Sequence, residues 1–349
     1  MARQHVEGRG SYRVIGKRVY EGSGRKISAT SLQKMVERVA HECKTPFEMS
    51  LELKPRWIGI LHLDGKRGRV RKGQQWWYLG VDGSGDIVDC SGVKELTVNE
   101  AIEFLEEIKS LRQDWRGFVT DLDTVLTLAL GHVFPGKPHQ YCLKHALSAL
   151  ELMIGYPSIG QRQRWTKTGL RDEFERLRGK RGIWVERSRE EFVKHWEQTR
   201  TLSERFKELQ RLRDTCHAIL FAPTEKEARK RLQSLKRTRG TAPELVGKVI
   251  AFFDRHWERL TAYHRFPDLP RTNNMAENVN KQIQRRLKTI ESFQYRHTAI
   301  SYMNLLVAYL RCKPYTDCRG TRRHLNGKSR LQAAGVRKLS QDWLQNCLK

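Results

Sequence analysis

No stretch of this 349-residue chain approaches the roughly 18 apolar residues that a membrane-crossing helix needs. The longest apolar helical segment, Ile300 to Leu310, is interrupted by Asn304 and reads as core. The first ten residues, MARQHVEGRG, hold no apolar run, so no signal peptide is expected. The seven cysteines are odd in number and scattered without a disulfide framework, which points to a reducing compartment. There is no internal repeat and no low-complexity segment. Acidic residues are scarce, 39 against 66 basic ones, for a formal net charge of +27. Such an excess costs self-repulsion, and the usual reason to keep it is a polyanionic partner. A hydrophobic content of 38% nevertheless excludes a disordered basic chain, and nine tryptophans fit poorly with a ribosomal or chromatin-coating protein.

The shortage of acids is uneven. Residues 1–50 carry 10 basic and 5 acidic side chains, residues 51–145 carry 13 of each, residues 146–267 carry 27 and 16, and residues 268–349 carry 16 and 5. A metal-binding core set in a basic frame has this distribution.

Hydrophobic patterning places elements on these segments. Residues 1–50 give a helix, a turn at Gly22 to Gly24, and a second helix over 29–40 capped by Ser28 or Thr30. This is a partial helix-turn-helix-like DNA-binding layout, with a plain helical hairpin as the alternative. WIGILHLDG from Trp57, QWWYLGVDG (75–83) and GDIVDCSG (85–92) read as a three-strand meander. Thr97 and Glu100 open a helix, GFVTD (117–121) is a fourth strand, 123–133 a helix, and HQYCL (139–143) a fifth strand. The expected core is an α/β, mixed five-stranded sheet with helices on both faces, formed by 51–145 and 268–312. An all-helical basic insertion (146–267) divides it, with Ser188/Glu191 and Thr224/Glu227 as helix caps and Pro243 in a first turn. A helix over 273–288 carries Ala276, Val279, Ile283 and Leu287 as its apolar stripe, and a basic tail (313–349) ends in a short amphipathic helix near Trp343.

Asp64 lies in or at the end of the first strand, and Asp121 ends the fourth. Aspartate disfavours strands, and in this topology the two strands are neighbours, so both carboxylates approach one another on one side of the sheet. Each alone also fits a turn. Glu277, early in the 273–288 helix, is positioned to add a third carboxylate, although it equally complements the helix dipole. Asp123 competes with Asp121 but reads better as the start of the next helix, and Asp82, Asp86 and Asp89 fit turns and hairpins. Carboxylates converging from rigid elements are what two hard cations about 3.5–4 Å apart require at a phosphodiester undergoing in-line displacement. No Ser/His or Cys/His triad suggests a side-chain nucleophile.

LHLDG, then VTD, then YCLKH (141–145), then RTNNMAEN (271–278), in that order and spacing, resemble the Mutator-like class of DDE transposases, the bacterial insertion-sequence members most closely. The resemblance covers roughly residues 57–312. It implies a ribonuclease-H-like catalytic core with a helical insertion, Asp64, Asp121 and Glu277 as ligands of two Mg2+ (or Mn2+) ions, and Cys142 and His145 as the Cys-x-x-His element beside the site. It also implies double-stranded DNA (transposon ends and target) as substrate, a homodimer or higher oligomer, and a cytoplasmic or nucleoid setting in a bacterium or archaeon. Members carry a longer N-terminal DNA-binding region than residues 1–50 provide. A ribonuclease-H-like nuclease without strand transfer, and a domesticated non-catalytic DNA-binding protein, remain alternatives.

Further DNA contacts are expected from His145, Trp165, Arg271, Asn273, Asn274, Arg285, Arg286, Arg322 and Arg323, the last two in the run RGTRRHLNGKSR (319–330). Trp196 and Trp257 read as core instead, and Trp184 is a further candidate for stacking on bases. A zinc site built on His139, Cys142 and His145 lacks a second ligand pair at standard spacing, with Cys216 and His217 the nearest substitute.

Overall fold

The structure, a computed structural model, describes residues 1–68, 70–71, 74–156, 207–237, 243–288, 290 and 293–348. The chain divides into two compact units, Met1–Tyr141 with Phe266–Lys349, and Cys142–Arg265. Among the described residues no helix is long and apolar enough to cross a membrane.

The first unit is built on a mixed five-stranded sheet of β1 (Ile60–Gly68), β2 (Gln75–Asp82), β3 (Ile87–Val93), β4 (Gly117–Thr120) and β5 (His139–Tyr141). Their order is β3-β2-β1-β4-β5; β1 to β3 form an antiparallel meander, and β4 and β5 add in parallel. Parallel pairing requires crossovers, which α5 (Val98–Ser110) and α6 (Thr124–Val133) supply. Local chemistry sets where those helices start. The Thr97 hydroxyl accepts from the Glu100 amide at 3.3 Å, and the Asp123 carboxylate accepts from the Val125 and Leu126 amides at 2.7 and 3.1 Å. Asp123 is therefore a helix cap, as its position in the sequence suggests.

The strands bury both faces. Leu61, Leu63, Tyr78, Val88 and Phe118 pack with Phe104, Leu105, Leu126 and Leu130 of α5 and α6. On the opposite face Trp77, Leu79, Val81 and Ile87 pack with the helices Asn274–Leu287 and Arg296–Cys312. The two-residue period of a strand thus sends Leu61 and Leu63 one way and His62 and Asp64 the other.

The N-terminal segment holds α1 (Ala2–Val6), α2 (Tyr12–Ser23) and α3 (Ala29–His41). Gly24 ends α2 in the left-handed region (φ 67°), and the Ser28 side chain caps α3. A further helix, α4 (Pro46–Leu53), begins with a capping box between Thr45 and Glu48 and has Pro46 in its first turn. The Thr-Pro-Phe-Glu string carries that signal.

Two elements differ from expectation. The fifth strand stops at Tyr141, because Cys142 already caps α7 (Leu143–Met153). Near Trp343 there is a four-residue 3-10 turn, Trp343–Asn346, instead of an amphipathic α-helix. The Asn346 side chain accepts from the Ser340 amide at 2.8 Å and donates to the Ser340 carbonyl at 2.9 Å, closing the segment after one turn.

Among the described residues of the second unit, α7 is followed by helical residues 207–220 and by the helices Glu225–Arg237, Pro243–Leu260 and Ala262–Arg265. Thr224 caps the first of these three through the Glu227 amide at 3.1 Å. Trp257 is core, with its indole N–H donating to Glu225 at 3.1 Å. Trp165, Trp184, Trp196 and the Ser188/Glu191 cap lie outside the described residues.

Candidate active site

The parallel ladder between β1 and β4 pairs Ile60 with Gly117, Leu61 with Phe118 and His62 with Val119. Continued two residues along both strands, the same register sets Asp64 beside Asp121, one residue past the end of β4. Asp64 itself lies in the middle of β1, opposite Leu79 of β2. Both aspartates are half-buried.

Asn273 ties them together. It is fully buried, its Nδ2 donates to the Leu63 carbonyl at 2.7 Å and to Asp121 Oδ1 at 3.3 Å, and its Oδ1 accepts from His62 Nδ1 at 3.1 Å. Asn273, expected as a DNA contact, has its amide bonded inside the protein, where it holds Asp121 against β1. Because an amide oxygen only accepts, His62 carries its proton on Nδ1. Burial pushes the His62 pKa down to about 4, against the opposing effect of the bond to Asn273, so the ring is neutral at neutral pH.

The helix Asn274–Leu287 packs on β1 and β2 and delivers the third acid. Glu277 lies in its first turn, half-buried, with Lys281 one turn on at 3.5 Å from its Oε2. Asn280, on the buried side of the same helix, donates to Asp64 Oδ2. Residues three apart on a helix are neighbours, so the contact from Asn280 to Asp64 brings the Glu277 position toward the two strand acids. Among the described residues, oxygens of all three carboxylates do not lie within 4.8 Å of one another. Two cations about 3.5–4 Å apart, each about 2.0–2.1 Å from its oxygen ligands, demand a wider spread than a one-ion cluster does.

No family model matches the chain, and no curated protein does either.

The other expected contacts are distributed unevenly. Asn274, Arg271, Arg285 and Arg323 are exposed, and Arg322 is half-buried. Arg286 is only 4% exposed, and its guanidinium donates to the His5 carbonyl, pinning α1 to the glutamate-bearing helix. Cys142 and His145 open the second unit, Cys142 buried at the start of α7 and His145 half-buried in its first turn. Trp165 lies outside the described residues.

Sequence reasoning missed His62 and Asn280. Both carried a signal, since each is a polar residue at a core-facing position, His62 within an apolar strand and Asn280 within the stripe of Ala276, Val279 and Ile283.

Proposed function

We propose that the chain is a DNA transposase that cleaves the phosphodiester at a transposon end and joins the freed 3′ hydroxyl to target DNA, using Asp64, Asp121 and Glu277. The observation that carries this reading is the shared register of Asp64 and Asp121 on one sheet face, beneath the helix that bears Glu277. The strand order and the two crossovers are also those expected of a ribonuclease-H-like core, the finer fold assignment that we propose here.

The donor set fits divalent magnesium or manganese: three carboxylates, all hard oxygen ligands, with no thiolate among them. Bound there, two such ions would supply a deprotonated oxygen nucleophile and relief of charge on the leaving oxygen. The protein's own contribution is positioning. Asn280 orients Asp64, Asn273 orients Asp121, and His62 holds Asn273 without adding a charge beside the carboxylates. Double-stranded DNA is the proposed substrate, and the pairing of two transposon ends calls for a homodimer or larger assembly.

Asp64→Asn tests the reading. With Mg2+ or Mn2+ present, the variant is expected to lose donor cleavage while retaining DNA affinity; nicking at the wild-type rate would sink the assignment. Supplying pre-cleaved ends with a free 3′ hydroxyl separates the chemistry further. Joined product supports a transposase, and cleavage without joining points to a nuclease.

A further inference from the structure

The glutamate-bearing helix has a second side that the proposed chemistry does not use. There a cavity of about 550 Å³ lies between this helix, the N-terminal residues Val6 to Arg9 and the tail from Lys313 to Arg330. Its lining is strongly basic, with eight Lys or Arg side chains against two carboxylates, Glu7 and Asp317. Both acids are engaged locally, Glu7 accepting from the Trp343 indole and Asp317 from the Thr316 hydroxyl. Among the described residues, none of Arg9, Arg285, Lys313, Arg319, Arg322 and Arg330 forms an ion pair with a carboxylate.

The inner cations are built into the fold. Arg330 is 6% exposed and donates to the Gly85 carbonyl and to the Tyr315 hydroxyl, the latter at 3.1 Å. Arg322 and Arg330 both lie against the Tyr315 ring, at 5.8 and 5.2 Å from its centroid. Burial pushes the Arg330 pKa down; Tyr315 and the more distant Asp86 carboxylate oppose this, and the Arg322 charge adds to it. The close approach extends to the β2–β3 turn. Gly85 has φ 99°, and a Cβ there would stand 2.8 Å from the Tyr315 hydroxyl and 3.0 Å from Arg322 Nη2. Two guanidiniums on one tyrosine ring, neither in an ion pair with a carboxylate among the described residues, repel one another, and an anion joining them would offset that cost.

The outer cations are arranged differently. Arg9, Lys281, Arg285, Lys313 and Arg319 are exposed along the cavity's rim. Deep guanidinium forks suit a phosphate group, and a row of exposed cations leading outward suits a ligand whose charge continues beyond that group. A second cavity of about 440 Å³, lined by His62 of β1 and by Asn274 at the start of the glutamate-bearing helix, shares Met275, Asn278 and Arg322 with the basic one. Arg322 thus stands where the two meet.

We propose that the basic cavity is a phosphate subsite for a single DNA strand, with one phosphate at Arg322 and Arg330 and its neighbours along the rim, so that the strand runs along the face of the glutamate helix that carries Asn278, Lys281 and Arg285. The choice of DNA as the polyanion rests on the function proposed above. The phosphate chemistry does not, so the test is run in chelator, where no metal-dependent step contributes.

The experiment measures binding of a labelled 12-nucleotide single strand to the full-length protein by fluorescence anisotropy across a salt series. At 0.1 M salt, Arg285→Ala and Arg322→Ala are each expected to weaken binding about fivefold and to reduce the log–log salt slope by about 0.7. Lys137→Ala removes the same charge outside the cavity and leaves affinity and slope unchanged. Arg322→Lys keeps the slope but loses affinity, because the fork is gone; with Arg285→Ala it carries the test should thermal melts show Arg322→Ala unfolded. Wild-type affinity in both cavity variants would overturn the proposal, as would an equal loss in Lys137→Ala. Inorganic pyrophosphate raising the melting temperature of the wild type but not of Arg322→Lys, with oligonucleotide affinity untouched by Arg285→Ala, would assign the cavity to a free phosphate compound and overturn the strand.

Discussion

Asn273 shows how much one amide can organise. Its two ends reach a histidine, a strand carbonyl and a carboxylate, and all of this takes place in a fully buried position. A buried polar group left without partners costs about 1–3 kcal/mol, so the network needs the proton on His62 Nδ1; a second proton would keep that bond but place a charge where burial disfavours it. That condition has a measurable consequence. The folded-state pKa of His62 is about 4, against an ordinary value of 6.5. Between those values the unfolded chain binds a proton that the folded chain does not, so the contribution of His62 is complete above pH 6.5 and is lost as the pH falls toward 4. A shift of that size is on the order of 3 kcal/mol. Asp89 acts in the opposite sense: burial, then the neighbouring Glu107, push its pKa up to about 7, and its contribution declines as the pH rises toward and past that value. Only a difference between proteins isolates the histidine. Urea unfolding midpoints at pH 7.5 and 4.5 are expected to fall less in His62→Gln than in the wild type; parallel pH profiles would remove the neutral imidazole from the account.

At the scale of elements, the first unit is joined across its layers by a fully buried ion pair between Arg311 and Asp86. Arg311 Nε and Nη2 reach the two carboxylate oxygens at 3.0 and 2.8 Å, and Nη1 donates to the Pro46 carbonyl at 2.8 Å and the Ser50 hydroxyl at 3.0 Å. The Trp57 indole adds a bond to Asp86 at 3.0 Å. Helix Arg296–Cys312, α4 and the start of β3 therefore share one polar knot. Removing one partner strands the other's charge, so Arg311→Met is expected to cost about 3–5 kcal/mol in denaturant unfolding. Arg311→Met with Asp86→Asn should recover part of that loss, and a double variant no better than the single would show that the knot acts through packing alone. None of this was legible in the sequence, where Asp86 reads as a hairpin residue and Arg311 as the end of an apolar helix. The strands were legible, because WIGILHLDG, QWWYLGVDG and GFVTD are apolar and β-branched runs with turn residues at their ends. So was the start of α6, where an aspartate precedes an apolar run. Local signals of this kind mark elements, whereas partners 216 and 225 residues apart, Asn280 with Asp64 and Arg311 with Asp86, follow from packing that no window of sequence contains.

For the whole molecule, the balance of charge makes a claim that no single residue makes. Residues 51–145 are neutral overall, whereas 146–267 and 268–349 each carry an excess of eleven positive charges. Chemistry at three carboxylates and affinity from the basic remainder should therefore separate experimentally. If the remainder binds DNA through phosphates, affinity for a duplex of arbitrary sequence should need no divalent ion and should fall about a hundredfold or more between 50 and 200 mM salt, as expected when about four or more phosphates are neutralised. Gel-shift titrations in chelator at several salt concentrations measure this directly. Asp64→Asn and Asp121→Asn should match the wild type there, since neither removes a cation, and should differ from it only when Mg2+ or Mn2+ is added and cleavage is scored. A shallow salt dependence would mean that the excess charge serves something other than a polyphosphate, and the carboxylates would then have lost the substrate they are proposed to act on.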